Sequence, residues 1–229
     1  MNDLKEKLKE ALMPLYEQLL KTAKPNDCAF CVQWGENFPD EKNTGILFVG
    51  KAVNGWVTNK KEIEILFGNG KKRIFDREDQ IKWVDSEKSY NARKSAFWRV
   101  VKAISQKQNV WSDKIAWSNL YKISPFEGGN PSATLKEEQL KLCREILKTE
   151  IEILSPKFVV MLVSDWKHDF LRYLNNNQPT KSICKKTWDK NYETKVYKIN
   201  GTFFITSLHP QGKKEDLHVN TIVEFLKKY

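Results

Sequence analysis

Leucines at positions 4, 8, 12, 15 and 19 recur every three or four residues, which predicts an amphipathic helix over residues 3 to 22, kinked or restarted at Pro14. The period then changes. Gly45 to Gly50 is an apolar run without polar alternation, the pattern of a strand buried on both faces. Two more such runs, Lys114 to Leu120 and Lys157 to Val163, are interleaved with helical patterns at Ala92 to Ser105 and Leu135 to Leu154. Thr134 with Glu137 three residues on predicts a capping box at the start of the second helix, and Ser155-Pro156 marks its end. After the polar stretch Asn175-Asn176-Asn177, an Asn200-Gly201 pair between two β-prone runs predicts a hairpin over residues 195 to 207. Asn220 to Tyr229 predicts a closing helix with Ile222, Val223 and Leu226 on one face.

Strands alternating with helices predict one three-layer α/β/α domain over residues 1 to 229, with a mostly parallel central sheet of about four or five strands. In such a sheet the loops after the strands share one rim, where ligands bind. That rim would carry Asn54 and Trp56 after the first strand, Asn119 at the end of the second, Ser164 and Asp165 after the third, and His209 after the last. Phe203, Phe204 and Ile205 drive the last strand, Pro210 stops its pairing and Gly212 permits a turn. An imidazole held there can donate to an anion or exchange a proton; the plainer alternative is a turn histidine without chemistry.

Composition narrows the partners. Lys plus Arg number 39 against 29 Asp plus Glu, a net charge of +10 that favours a polyanion such as nucleic acid. With 40% hydrophobic and 30% charged residues the chain is globular, and no apolar stretch is long enough to span a membrane. Asp3, Lys5 and Glu6 break the apolar centre a signal peptide needs, so a cytoplasmic protein is expected, and separately a monomer. Four cysteines, Cys28, Cys31, Cys143 and Cys184, are too few and too scattered for a disulfide framework. The two-residue spacing of Cys28 and Cys31 suits a zinc ion or an iron–sulfur cluster, with buried apolar cysteine as the other reading.

In order along the chain, several segments resemble the uracil-DNA glycosylase superfamily, closest to its cluster-containing bacterial and archaeal branches. Ile46-Leu47-Phe48-Val49-Gly50-Lys51-Ala52 resembles the first motif, a buried strand running into a glycine loop. Asn119-Leu120-Tyr121-Lys122, Pro125 and Gly129-Asn130-Pro131 resemble the second strand and its proline-rich loop. Ser155-Pro156-Lys157 resembles the entry to the third strand, Ser207-Leu208-His209-Pro210 the second motif, and Arg93 to Val101 the helix near the base pocket.

The resemblance implies a DNA repair glycosylase that extrudes uracil or a related deaminated base and hydrolyses its bond to deoxyribose. It would place His209 on the departing anion, Asn119 on the base's hydrogen-bonding edge, Trp56 or Phe97 stacked on the base, and Gly50 and Gly55 in close backbone approach. Lys51 and Ala52 stand where the family carries an acid or amide beside the glycine, which leaves Asn54 to position water. Lys51 would contact phosphate or base, and Asp76 and Asp79 match no motif. Cys28, Cys31 and Cys143 resemble cluster ligands, but Ile123 replaces a further one, and Cys184 is the remaining thiol. Gln211-Gly212-Lys213-Lys214 replaces an apolar wedge, so Lys213 and Lys214 are expected on phosphates, with a preference for single-stranded or unpaired DNA. The missing acid leaves open a catalytically impaired, damage-recognising module, and a small-ligand hydrolase or binding protein could use the same rim.

Overall fold

The computed structural model describes residues 2–38, 45–56, 59, 61–67, 81, 84 and 94–229. Asp76, Asp79, Ala92 and Arg93 lie outside the described residues. The elements in chain order are α1 (Asn2–Leu19), β1 (Asp27–Ala29), β2 (Gln33–Trp34), β3 (Ile46–Gly50), α2 (Ile63–Phe67), α3 (Ala96–Lys107), β4 (Ile115–Asn119), β5 (Ile123–Pro125), α4 (Ala133–Leu154), β6 (Phe158–Leu162), α5 (Lys167–Leu174), β7 (Cys184–Trp188), β8 (Tyr192–Ile199), β9 (Thr202–Ser207) and α6 (Glu215–Lys228). They form two compact units interleaved along the chain. One comprises Met1–Gln33, Lys51–Glu78 and Ser118–Ser155, the other Trp34–Gly50, Asp79–Trp117 and Pro156–Tyr229.

In the first unit α1 packs on α4. Helix α1 runs through Pro14 as one element. Its buried stripe is Leu8, Leu12, Tyr16 and Leu19, while Leu15 is half-buried. Steps of four, four and three follow the 3.6-residue pitch, so Tyr16 rather than Leu15 continues the core face. The facing stripe on α4 includes Cys143, Ile146, Leu147, Ile151 and Leu154. The expected box at Thr134 is replaced by a cap two residues earlier, where Ser132 Oγ accepts the Leu135 amide at 3.1 Å. Ser155 ends the helix in the left-handed region at φ 45, and Pro156 cannot continue it. β1 and β5 pair antiparallel, Cys28 opposite Ser124.

The second unit is built on a seven-stranded sheet ordered β2-β4-β3-β6-β9-β8-β7, which takes in Gln33 and the last two residues of β4. β3, β6 and β9 are parallel neighbours, but β8 and β7 add antiparallel. The sheet is therefore mixed and wider than the mostly parallel four or five strands expected. Two tight turns account for the difference. Asn200 at φ 49 and Gly201 at φ 88 fold β8 back beside β9, as the Asn-Gly pair predicts, and Lys190 at φ 45 with Asn191 at φ 67 repeats the move for β7. The polar edge strand β7, with Lys185 and Lys186 exposed, offers no apolar run from which to read it.

Helices α3 and α6 pack together in this unit. Ser95 caps α3 by accepting the Trp98 amide at 3.4 Å. α6 begins at Glu215, five residues before the expected Asn220, because Glu215 and Asp216 suit the positive end of the helix dipole. Arg99 of α3 grips Glu215 through both Nε and Nη2. No helix among the described residues is long and apolar enough to cross a membrane.

Candidate functional site

The parallel registers Val49↔Met161 and Leu162↔Ser207 bring the carboxyl ends of β3, β6 and β9 to one edge of the second unit. Gly50, Ser164 and His209 stand at that edge. Val163 N donates to Ser207 O at 3.2 Å, carrying the ladder one residue past β6, and His209 N donates to Ser164 Oγ at 2.9 Å. The half-buried His209 ring accepts the Gln211 amide at Nδ1, at 3.4 Å. An accepting Nδ1 puts the ring hydrogen of a neutral imidazole on Nε2.

Behind the strand end lies a histidine whose place sequence reading missed. His218 of α6 is fully buried, its Nε2 2.7 Å from Ser207 Oγ and its ring stacked on Trp188 at 4.6 Å. Ser207 Oγ also shares a hydrogen with Thr194 Oγ1 at 2.8 Å, and Trp188 Nε1 donates to Thr194 at 3.0 Å. Burial, with lesser contributions from Lys213 and His209, lowers the His218 pKa to about 4. The available signal was its position on the α6 stripe with Ile222, Phe225 and Leu226.

Lys213 and Lys214, expected on phosphates, already have partners within the chain. Lys213 Nζ donates to Gln211 O at 3.1 Å and sits 5.2 Å from the Tyr192 ring centre, while Lys214 Nζ is 3.2 Å from Asp189. The Lys214 ammonium is exposed over a mostly buried Asp189 carboxylate.

The first unit holds the other expected residues. Lys51, Ala52, Asn54 and Trp56 lie on a loop laced to the 121–129 segment. Tyr121 N donates to Lys51 O at 3.0 Å, Ser124 Oγ to Val53 O at 2.9 Å, and Gly129 N to Asn54 Oδ1 at 2.5 Å. Gly55 is required at φ 83, where a Cβ would also meet Phe126 O at 2.9 Å. Asn54 is thus an exposed loop clasp whose amide oxygen is engaged. Trp56 is half-buried with its ring edge-on to Phe30 at 5.2 Å. Asn119, the last residue of β4, is 1% exposed, and its Nδ2 finds no hydrogen-bond partner among the described residues. An orphaned buried amide costs about 1–3 kcal/mol, so it marks a place where a ligand acceptor would be welcomed. In the second unit Phe97 is buried against Trp98 and Trp117 as core.

The three cysteines expected as ligands are buried free thiols. No three His, Cys, Asp or Glu side chains among the described residues converge as ligands. Cys28 Sγ donates to Ser124 O at 3.3 Å, and Cys143 Sγ donates to Gln139 Oε1 at 3.2 Å. Burial pushes the thiols of Cys28 and Cys31 up and that of Cys143 up to about 12, so a zinc ion or cluster bound there would have to displace their protons. Cys184 lies on β7, with Lys228 Nζ 3.7 Å from its sulfur.

The centre of the first unit is instead a closed polar network. Lys122 Nζ donates to both Glu150 oxygens at 2.9 Å and to Ser118 Oγ at 2.6 Å, and Ser118 donates to Glu150 Oε2 at 2.6 Å. Gln139 Oε1 accepts the Lys122 and Ile123 amides, and Tyr16 donates to Phe30 O at 2.6 Å. Burial raises the Glu150 carboxyl, while Lys122 and Ser118 pull it back. Glu150 could have been suspected as a carboxylate on the buried face of α4.

No protein-family model and no curated protein matches the chain.

Proposed function

We propose that this protein is a uracil-DNA glycosylase-like DNA repair enzyme acting on uracil or a related deaminated base. The observation that carries the reading is His209, which stands at the carboxyl edge of the parallel strands β3, β6 and β9 with its Nδ1 accepting the Gln211 amide, an arrangement that leaves Nε2 to carry the hydrogen of a neutral ring. A neutral imidazole donating from Nε2 stabilises negative charge as it develops on the leaving base without itself giving up a proton. Within the first unit, the buried Asn119 amide, whose Nδ2 has no hydrogen-bond partner among the described residues, suits the expected reading of a base edge, and Trp56, half-buried beside Phe30, is the expected stacking residue. Lys51, Lys213 and Lys214 supply phosphate contacts, and the net charge of +10 supports a DNA partner. The expected preference is for single-stranded or unpaired DNA, bound by a monomer.

The second reading is a damage-recognising module without hydrolysis. It is favoured by Lys51 and Ala52, neither of them a carboxylate, after Gly50, and by Asn54, whose oxygen is committed to Gly129. An amide is also a poor general base. Uracil-containing single- and double-stranded DNA, incubated with the protein and treated with alkali, separates the two. Strand cleavage abolished by both His209→Ala and Asn119→Ala establishes the enzyme. Salt-sensitive binding without cleavage establishes the module, and neither cleavage nor binding refutes both.

A further inference from the structure

Ser164 holds a backbone conformation that glycine would adopt more easily. It follows β6 and Val163 at φ 55, in the left-handed region that L-residues enter at a steric cost. Two bonds use that conformation. Its hydroxyl accepts the His209 amide at 2.9 Å, and its carbonyl accepts from Lys167 Nζ at 3.0 Å. The Lys167 side chain is only 12% exposed, and its ammonium also lies 3.7 Å from Asp165 Oδ1, so it ties the Ser164 carbonyl to its neighbour's carboxylate. On the other side of the same strand end, His218 holds Ser207, two residues before His209. Glycine would satisfy the backbone angle at 164 but would offer no acceptor; serine supplies one.

We infer that Ser164 is a positioning residue for His209: by accepting its amide hydrogen it fixes the backbone from which Gln211 N reaches Nδ1, and so sets the ring's tautomer and direction. The inference rests on the reading of His209 as the group that stabilises the leaving base. Without the hydroxyl the 209–211 turn loosens, the Gln211 bond to Nδ1 is the first to open, and the imidazole samples both neutral tautomers. His218 and Ser207 still secure the strand itself, so the fold survives.

The test uses the full chain labelled with ¹⁵N and three variants, Ser164→Ala, Ser164→Gly and Ser164→Asn. Long-range ¹H–¹⁵N correlations of the imidazoles read the tautomer directly, with the His209 signals assigned by their loss in His209→Ala. Wild type is expected as the Nε2–H tautomer. Ala and Gly both shift His209 toward a tautomer mixture and speed exchange of its amide hydrogen by about threefold to tenfold, the range for one lost hydrogen bond. Asn tolerates the left-handed region and carries an amide oxygen, so it returns both readouts toward wild type. Spectra of Ala and Gly that superimpose on wild type overturn the inference. So does rescue by Gly, because the role would then be backbone conformation rather than the acceptor. In the cleavage assay Ala and Gly are expected to lower kcat about tenfold with KM within twofold, since a misdirected group acts on the transition state. A wild-type protein that does not cleave DNA removes the glycosylase reading, while the imidazole spectra still decide what Ser164 does.

Discussion

Replacing Lys122 by methionine removes the cation from a carboxylate that has no access to water. Both side chains of the Lys122–Glu150 pair are 0% exposed, and the ammonium touches both carboxylate oxygens at 2.9 Å. In the variant the Ser118 hydroxyl is the polar partner seen to remain on Glu150. Breaking a buried pair from one side costs about 3–5 kcal/mol, a fifth or more of a typical domain stability of about 5–15 kcal/mol. The double variant Lys122→Met with Glu150→Leu removes both charges and restores an apolar centre of similar volume. It is expected within about 1 kcal/mol of wild type, giving a coupling energy of several kcal/mol in the double-mutant cycle. Urea unfolding followed by tryptophan fluorescence supplies the midpoints, and an unchanged slope confirms that the unfolded states are comparable. The pH dependence has a definite sign. Burial already raises the folded pKa of Glu150, and loss of Lys122 raises it further. The ionised form is therefore penalised above the unfolded value, and the deficit of Lys122→Met shrinks as pH falls toward that value. A single variant that loses less than about 1 kcal/mol, or a double variant as unstable as the single, refutes this account of the network.

His218 gives a second pH dependence, because its folded pKa of about 4 lies below the ordinary value of 6.5. Its contribution is complete above 6.5 and is lost as pH falls from there through about 4, an upper bound of about 3 kcal/mol; His218→Gln should flatten the urea midpoint across that window. Gly35→Ala would place a Cβ 2.1 Å from Ser112 O and 2.3 Å from Asp113 O, both backbone atoms, so a loss of about 1–3 kcal/mol or more is expected in thermal or urea unfolding. Replacing Lys213 and Lys214 by alanine should reduce the slope of log affinity for single-stranded DNA against log salt by about 1.4, roughly 0.7 for each phosphate contact, as read by fluorescence anisotropy.

The chain's own pattern determined much of the secondary structure. Continuous apolar runs placed β3, β4 and β6, the Asn200-Gly201 pair placed the β8–β9 hairpin, and Pro210 and Gly212 placed His209 just beyond a buried strand. These signals are local: burial on both faces erases polar alternation, and positive φ selects particular residues. What sequence could not supply was the partner of each buried polar group. Glu150 lies 28 residues from Lys122, Ser164 lies 45 from His209, and the apolar stripes of α4 and α6 did not show that Glu150 and His218 belong to them by hydrogen bonding. Likewise a two-residue cysteine spacing permits metal binding, but whether the thiols ionise depends on desolvation, which is a property of the packed interior. Only the tertiary structure decided that Cys28, Cys31 and Cys143 are buried, with their thiol pKa values raised by desolvation, and that a lysine, a glutamate and a serine close the network at the centre of the first unit. Periodicity records which face of an element is buried; it carries no information about which side chain from elsewhere in the chain will meet it there.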